Sequence, residues 1–159
     1  MNNVQSPEEF AKLQKVLDLR VMRAKRAYLE KRAEYDALVI EAETLQQEAD
    51  ALNKQYQVLV ASLNGTNTVD SLTDITTRRH WLNSDYELKK YYLDIAKDDV
   101  EEAEKALLVL KKVWTDADAR EQAIAQKRIE AEKRVLAQEE IKTELEQSDS
   151  MSVGGFERG

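Results

Sequence analysis

The residues able to do chemistry are few. The chain holds one histidine, His80, and no cysteine. His80 stands beside Trp81 with no second imidazole, thiol or phosphate-binding glycine motif to form a site with it. A histidine can serve as a general base or a ligand only when a partner group orients it. His80 is therefore expected to be a surface or packing residue. The densest acids, Asp98-Asp99-Val100-Glu101-Glu102, would suit metal binding or general acid–base work if they converged. On a helix they point in different directions, with no convergent pocket. A solvated helical face is the expected reading. No P-loop, GxGxxG or HExxH pattern occurs. No catalytic residue, cofactor site or metal site is expected, and a non-catalytic role follows.

Composition limits the elements that could position any site. Among 159 residues, 35% are charged, with four glycines and one proline. Mean hydropathy is −0.64. Such chains form long helices and coiled coils, whose thin seams need fewer large apolar residues than a globular core. The net charge of −7 argues against nucleic acid as a general partner. The absence of cysteine suits a reducing compartment. The first residues show no cationic stretch followed by an apolar one, so no secretory signal is expected. No apolar run approaches the ~20 residues of a membrane span.

Helix 1 is expected over about residues 7–64. Ser6, Pro7 and Glu9 form a capping box with proline at the first helical position. Two heptad columns follow. One reads Val21, Tyr28, Tyr35, Ala42, Ala49, Tyr56, Leu63; the other reads Phe10, Leu17, Ala24, Lys31, Leu38, Leu45, Leu52, Leu59. Seven-residue spacing sustained this far requires a partner helix and a left-handed supercoil. Asn64-Gly65 should stop the helix, residues 65–71 should turn, and Ser71 with Asp74 should cap a second helix over about 72–147. That helix repeats the pattern. One column runs from Leu72 through Tyr86, Leu93, Val100 and Leu107 to Trp114, and the other from Ile75 through Leu82, Ala96, Ala103 and Leu110 to Ile124.

A short connection makes the helices antiparallel. The expected architecture is all-α: one long two-helix antiparallel coiled-coil hairpin with a projecting C-terminal helix end. An exchanged dimer of opened chains would satisfy the same seam. Pairing Leu63 with Leu72 puts Phe10 near residue 125, where the second seam fades. About 20 residues, or ~30 Å of helix, should then extend past the start of helix 1, with Ile129, Val135, Leu136, Ile141 and Leu145 available to a partner. A disordered tail is expected over 148–159.

Charge divides the surface further. From Lys12 to Glu34 there are eight bases and three acids, and from Asp36 to Asp50 five acids and no base. Arg20, Arg23, Lys25 and Arg26 form a basic face suited to an acidic protein surface or to transient contact with anionic lipid headgroups. Trp114 sits on a seam column and should pack across to about residue 21. Trp81 lies off both columns near the turn. With Tyr56 and Leu63 it marks the hairpin tip as a second contact region.

The length, the basic stretch Leu17-Asp-Leu-Arg20-Val-Met-Arg23-Ala-Lys25-Arg26-Ala, the Gly-containing turn, Trp81-Leu82-Asn83, and Lys111-Lys-Val-Trp114 before a charged final helix resemble the YscO/FliJ family of type III secretion and flagellar export stalk proteins. The resemblance spans nearly the whole chain and is closer to the virulence branch. It implies a cytoplasmic protein, peripheral to a bacterial inner-membrane secretion apparatus, that resembles the stalk of rotary ATPases. The end bearing both termini would engage a hexameric export ATPase. The tip would face an export-gate membrane protein, and secretion chaperones would bind as well. Glu87 falls where flagellar members place an aromatic residue. Two other roles are compatible with a helical hairpin: a coiled-coil chaperone or scaffold, and a peripheral membrane-binding protein.

Overall fold

The computed structural model describes residues 6–63 and 69–156, with side chains described as far as Met151. Two long helices, α1 (Pro7–Ser62) and α2 (Val69–Phe156), pack against each other as an all-α hairpin, with no strand among the described residues. The helix pair divides into two compact units. Unit 1 contains residues 1–26 and 112–159, and unit 2 contains residues 27–111.

α1 begins as its capping box requires. The amide of Glu9 donates to Ser6 Oγ at 3.3 Å, and the amide of Ser6 donates to Glu9 Oε2 at 3.4 Å. Glu8 and Glu9 also place negative charge on the first turn, where exposed amides favour it. The helix runs to Ser62, whose hydroxyl bonds the carbonyl of Leu59 at 2.6 Å. Asn64 and Gly65, the expected stop, lie outside the described residues. α2 begins at Val69, three residues before the expected start, so Ser71 stands inside the helix and not at its cap. The earlier start places Asp70 in the first turn. Thr73 and Thr77 donate their hydroxyls to carbonyls four residues back, at 3.0 and 2.9 Å.

In unit 2 the seam follows the heptad columns. Ala49, Leu93, Ala96, Ala103 and Leu107 are buried, and Tyr35, Leu38, Leu45 and Leu52 are half-buried. Three of the buried five are alanines, which let two backbones approach closely. Lys89 occupies a seam position and ion-pairs with Glu48 across the helices. Lys31, the polar interruption in α1, is half-buried and holds Glu34 on its own helix at 3.1 Å. Its stem covers apolar surface while the ammonium stays wet.

In unit 1, Leu17 and Ala131 are buried and Val21, Ala24, Trp114 and Ile124 half-buried. The pairing extends further than the apolar pattern. It was expected to fade near residue 125, yet Arg128 is half-buried and Ala131 is 6% exposed. The reason is a polar layer. Gln14 donates through Nε2 to Glu121 Oε1 at 3.0 Å and accepts from Arg128 Nη1 at 3.2 Å. One amide on α1 thus satisfies an acid and a base one heptad apart on α2. Beyond Ala131 every residue through Met151 is exposed. The helix itself continues to Phe156, into the stretch from Ser148 that the sequence marks as a disordered tail. Extending an existing helix adds one hydrogen bond per residue without a new nucleus.

Candidate functional site: the overhang, the basic start of α1 and the tip groove

Three surfaces carry the residues picked out from the sequence. The first is the overhang of α2 in unit 1. Ile129, Val135, Leu136, Ile141 and Leu145 are 39–60% exposed. Val135 continues a seam column, but α1 begins at Pro7 and offers it no facing turn. Seven-residue spacing puts Arg134 and Ile141 on one line of the helix, with Ala137 and Leu145 beside Ile141 at four-residue spacing. Leu136 and Ile129 fall on the opposite side. The overhang is apolar on more than one face, a pattern suited to enclosure more than to one flat contact.

The second surface is the basic start of α1. Arg20, Arg23, Lys25 and Arg26 are all exposed. They differ in what holds them. Lys25 Nζ lies 5.9 Å from the ring centroid of Trp114, a cation–π contact across the two helices. Trp114 is half-buried on the seam, as expected. Arg20, Arg23 and Arg26 make no salt bridge among the described residues. Arg20 and Arg23 border a groove of about 540 Å³ between α1 and α2, and Arg120 stands on its opposite wall. In unit 2, Arg32 belongs to the same basic run of sequence but is engaged. Hydrogen bonding to the Tyr28 hydroxyl, and then the charge of Asp36, hold its guanidinium more firmly protonated than usual.

The third surface is near the turn, in unit 2. Trp81 is 64% exposed and lines an open groove of about 710 Å³ with Val58, Leu59 and Leu82, edged by Lys54 and Arg78. Tyr56 and Leu63, grouped with Trp81 on the sequence, are half-buried. Arg79 lies 5.6 Å from the ring centroid of Tyr56 and donates to its hydroxyl at 3.0 Å, so Tyr56 is committed to the helix pair. The groove brings Trp81 together with Val58, Lys54 and Arg78, which the sequence reading did not single out. Val58 lies off the α1 columns, and an exposed apolar residue off the seam was the one available signal. His80 is exposed, its ring centroid 6.5 Å from that of Trp81 in an edge-type arrangement.

Among the described residues no group of three or more His, Asp or Glu side chains could hold a metal, and no helix is long and apolar enough to cross a membrane. Compared with family models, curated proteins and solved structures, the chain matches none of them.

Proposed function

We propose that the chain is a non-catalytic stalk or adaptor of a type III secretion export apparatus, of the YscO/FliJ kind, working at the cytoplasmic side of a bacterial inner membrane. The overhang carries this reading: a continuous helix, exposed through Met151, with apolar side chains on several faces. A ring enclosing such a helix would bury Ile129, Val135, Leu136 and Ile141 together. Each buried aliphatic side chain would contribute up to about 1.5–3 kcal/mol. Arg20, Arg23 and Arg26, near the same end of α1, would meet acidic residues on the ring's rim and speed encounter. The partner would be a hexameric export ATPase. The groove at Trp81 would receive an export-gate membrane protein or a secretion chaperone.

The test is the ATPase activity of a purified hexameric export ATPase with and without this protein. Full-length chain should stimulate or assemble the hexamer, and a chain ending at Ala131 should do neither while keeping its helix pair. Stimulation that survives the truncation would remove the overhang from the proposal. The scaffold reading is favoured by the tip groove alone. It predicts partner capture that Trp81→Ala abolishes and the truncation leaves intact.

A further inference from the structure

One flank of the helix pair in unit 2 carries a second apolar line that α1 does not cover. On α2, Leu88, Tyr92 and Ile95 are 42–51% exposed and follow each other at the four- and three-residue steps of a helical seam, with Trp81 one heptad before Leu88. The seam with α1, through the buried Leu93 and Ala96, runs beside this line. The ion pair of Lys89 with Glu48 fixes which stretch of α1 lies across from it. There the bordering line of α1 is small: Ala37, Thr44 and Ala51 at seven-residue spacing. A large apolar wall on one helix and a small one on the other leave a groove. It opens beside Ala51, Val58 and Trp81 at one end and beside Asp99, Glu102 and Ala106 at the other. Large apolar side chains lined up and exposed in this way mark a surface that another element covers.

The charges around the groove select its occupant. On the helical lines that border it, between residues 30 and 51 of α1 and between residues 85 and 109 of α2, there are seven acids and no base. Asp85 and Asp99 stand one heptad either side of Tyr92, and Glu41 and Glu48 border the groove from α1. Lys31 and Lys89, both on the seam, answer Glu34 and Glu48. Asp85, Asp99 and Glu41 make no salt bridge among the described residues. We propose that this groove takes a basic amphipathic helix of another protein, laid lengthwise as a third helix. Its apolar side chains, at heptad spacing, cover Leu88, Tyr92 and Ile95, and the Lys or Arg residues beside them meet Asp85, Asp99 and Glu41. The stretch from Trp81 to Glu102 is ~32 Å long, room for about six turns. Near Trp81 the border changes sign, with Lys54 and Arg78, so the basic side chains belong to the part that lies over Tyr92 and Ile95. A second copy presenting the same flank would set acids against acids, and an anionic membrane is repelled likewise. The inference does not rest on the stalk reading, which is carried by the overhang in unit 1.

Fluorescence anisotropy of a labelled synthetic peptide, titrated with the full chain, tests this. The peptide is about three heptads long, with leucine at the two core positions of each heptad, lysine on both sides of them and alanine elsewhere. A second peptide carries glutamate for lysine. The lysine peptide should bind, more weakly at high salt, and the glutamate peptide should not. Tyr92→Ala and Ile95→Ala should each weaken binding about tenfold. Both side chains are exposed, so the helicity of the free chain should be unchanged. Asp85→Lys with Asp99→Lys should abolish binding of the lysine peptide. Glu87 and Asp94 follow the seam residues Tyr86 and Leu93, where Asp85 and Tyr92 precede them, and so lie on the other flank. Glu87→Lys with Asp94→Lys makes the same change of net charge and should leave the affinity within about twofold. Absence of binding overturns the proposal. So does binding that Tyr92→Ala and Ile95→Ala leave unchanged, or that the two charge exchanges weaken equally, because net charge and not this groove would then hold the peptide. Sedimentation equilibrium of the chain alone is the last arm: self-association that Tyr92→Ala and Ile95→Ala abolish would make a second copy the occupant and overturn the proposal.

Discussion

Residues 112–131 and 132–151 of α2 are both helical, both rich in Ala, Glu, Lys and Arg, and both in unit 1. They differ in one respect. The first segment faces α1, with Trp114, Ala117, Glu121, Ile124 and Arg128 half-buried and Ala131 buried, while every residue of the second is exposed. Helical backbone is therefore common to both, and packing belongs to one. Helix formation needs only local hydrogen bonds and permissive side chains. Burial needs a second surface, and α1 supplies one only from Pro7 onward. The contrast teaches that an apolar residue at heptad spacing marks a place that accepts a partner. It does not state that the partner is in the same chain. Val135 and Leu145 keep the spacing of the seam columns without occupying a seam.

The largest expected effect separates the two segments directly. Leu17→Asp puts a carboxylate into the paired part and should lower stability by about 3 kcal/mol or more. Leu145→Asp in the overhang should stay within about 0.5 kcal/mol. Thermal melts followed by circular dichroism give both numbers, and similar losses would break the distinction. A smaller effect sharpens its boundary. Gln14→Ala leaves Glu121 and Arg128 without their shared amide and should cost about 1–2 kcal/mol. Amide exchange should then rise first over residues 121–131. Uniform acceleration along α2 would show that the polar layer does not hold the last turns of the pair. The smallest effect is that of Lys25→Ala. It removes the cation above Trp114 and should cost about 0.5–1 kcal/mol in chemical denaturation. A shift in Trp114 emission should accompany it.

The hairpin was legible because seven-residue spacing is a property of sequence alone. Leu17, Ala49, Leu93, Ala103 and Leu107, all on the expected columns, are buried. The capping box was legible for the same reason, since Ser6, Pro7 and Glu9 act within one turn. What escaped involves groups distant in sequence. Gln14, Glu121 and Arg128 each look like an interruption of an apolar column, and only their meeting turns three interruptions into a layer. The extension of the pair to Ala131 was hidden with them. The engagement of Tyr56 by Arg79 and the cover of Trp114 by Lys25 were hidden likewise. The exposed side chains of the overhang were readable. The groove that surrounds Trp81 was not, because Lys54, Val58 and Arg78 join it only through the pairing of two helices.

The polar layer at Gln14 has a mechanical consequence. A seam of leucine and alanine alone would tolerate sliding by one heptad, because the same residue types would meet again. Gln14 has no equivalent seven residues away: Pro7 precedes it and Val21 follows it. Shear of one helix past the other would leave Glu121 and Arg128 half-buried against groups that can neither donate nor accept. The layer thus acts as a detent. Axial load on either helix is resisted by these three side chains together with the cross-helix pairs Lys89–Glu48 and Arg79–Tyr56.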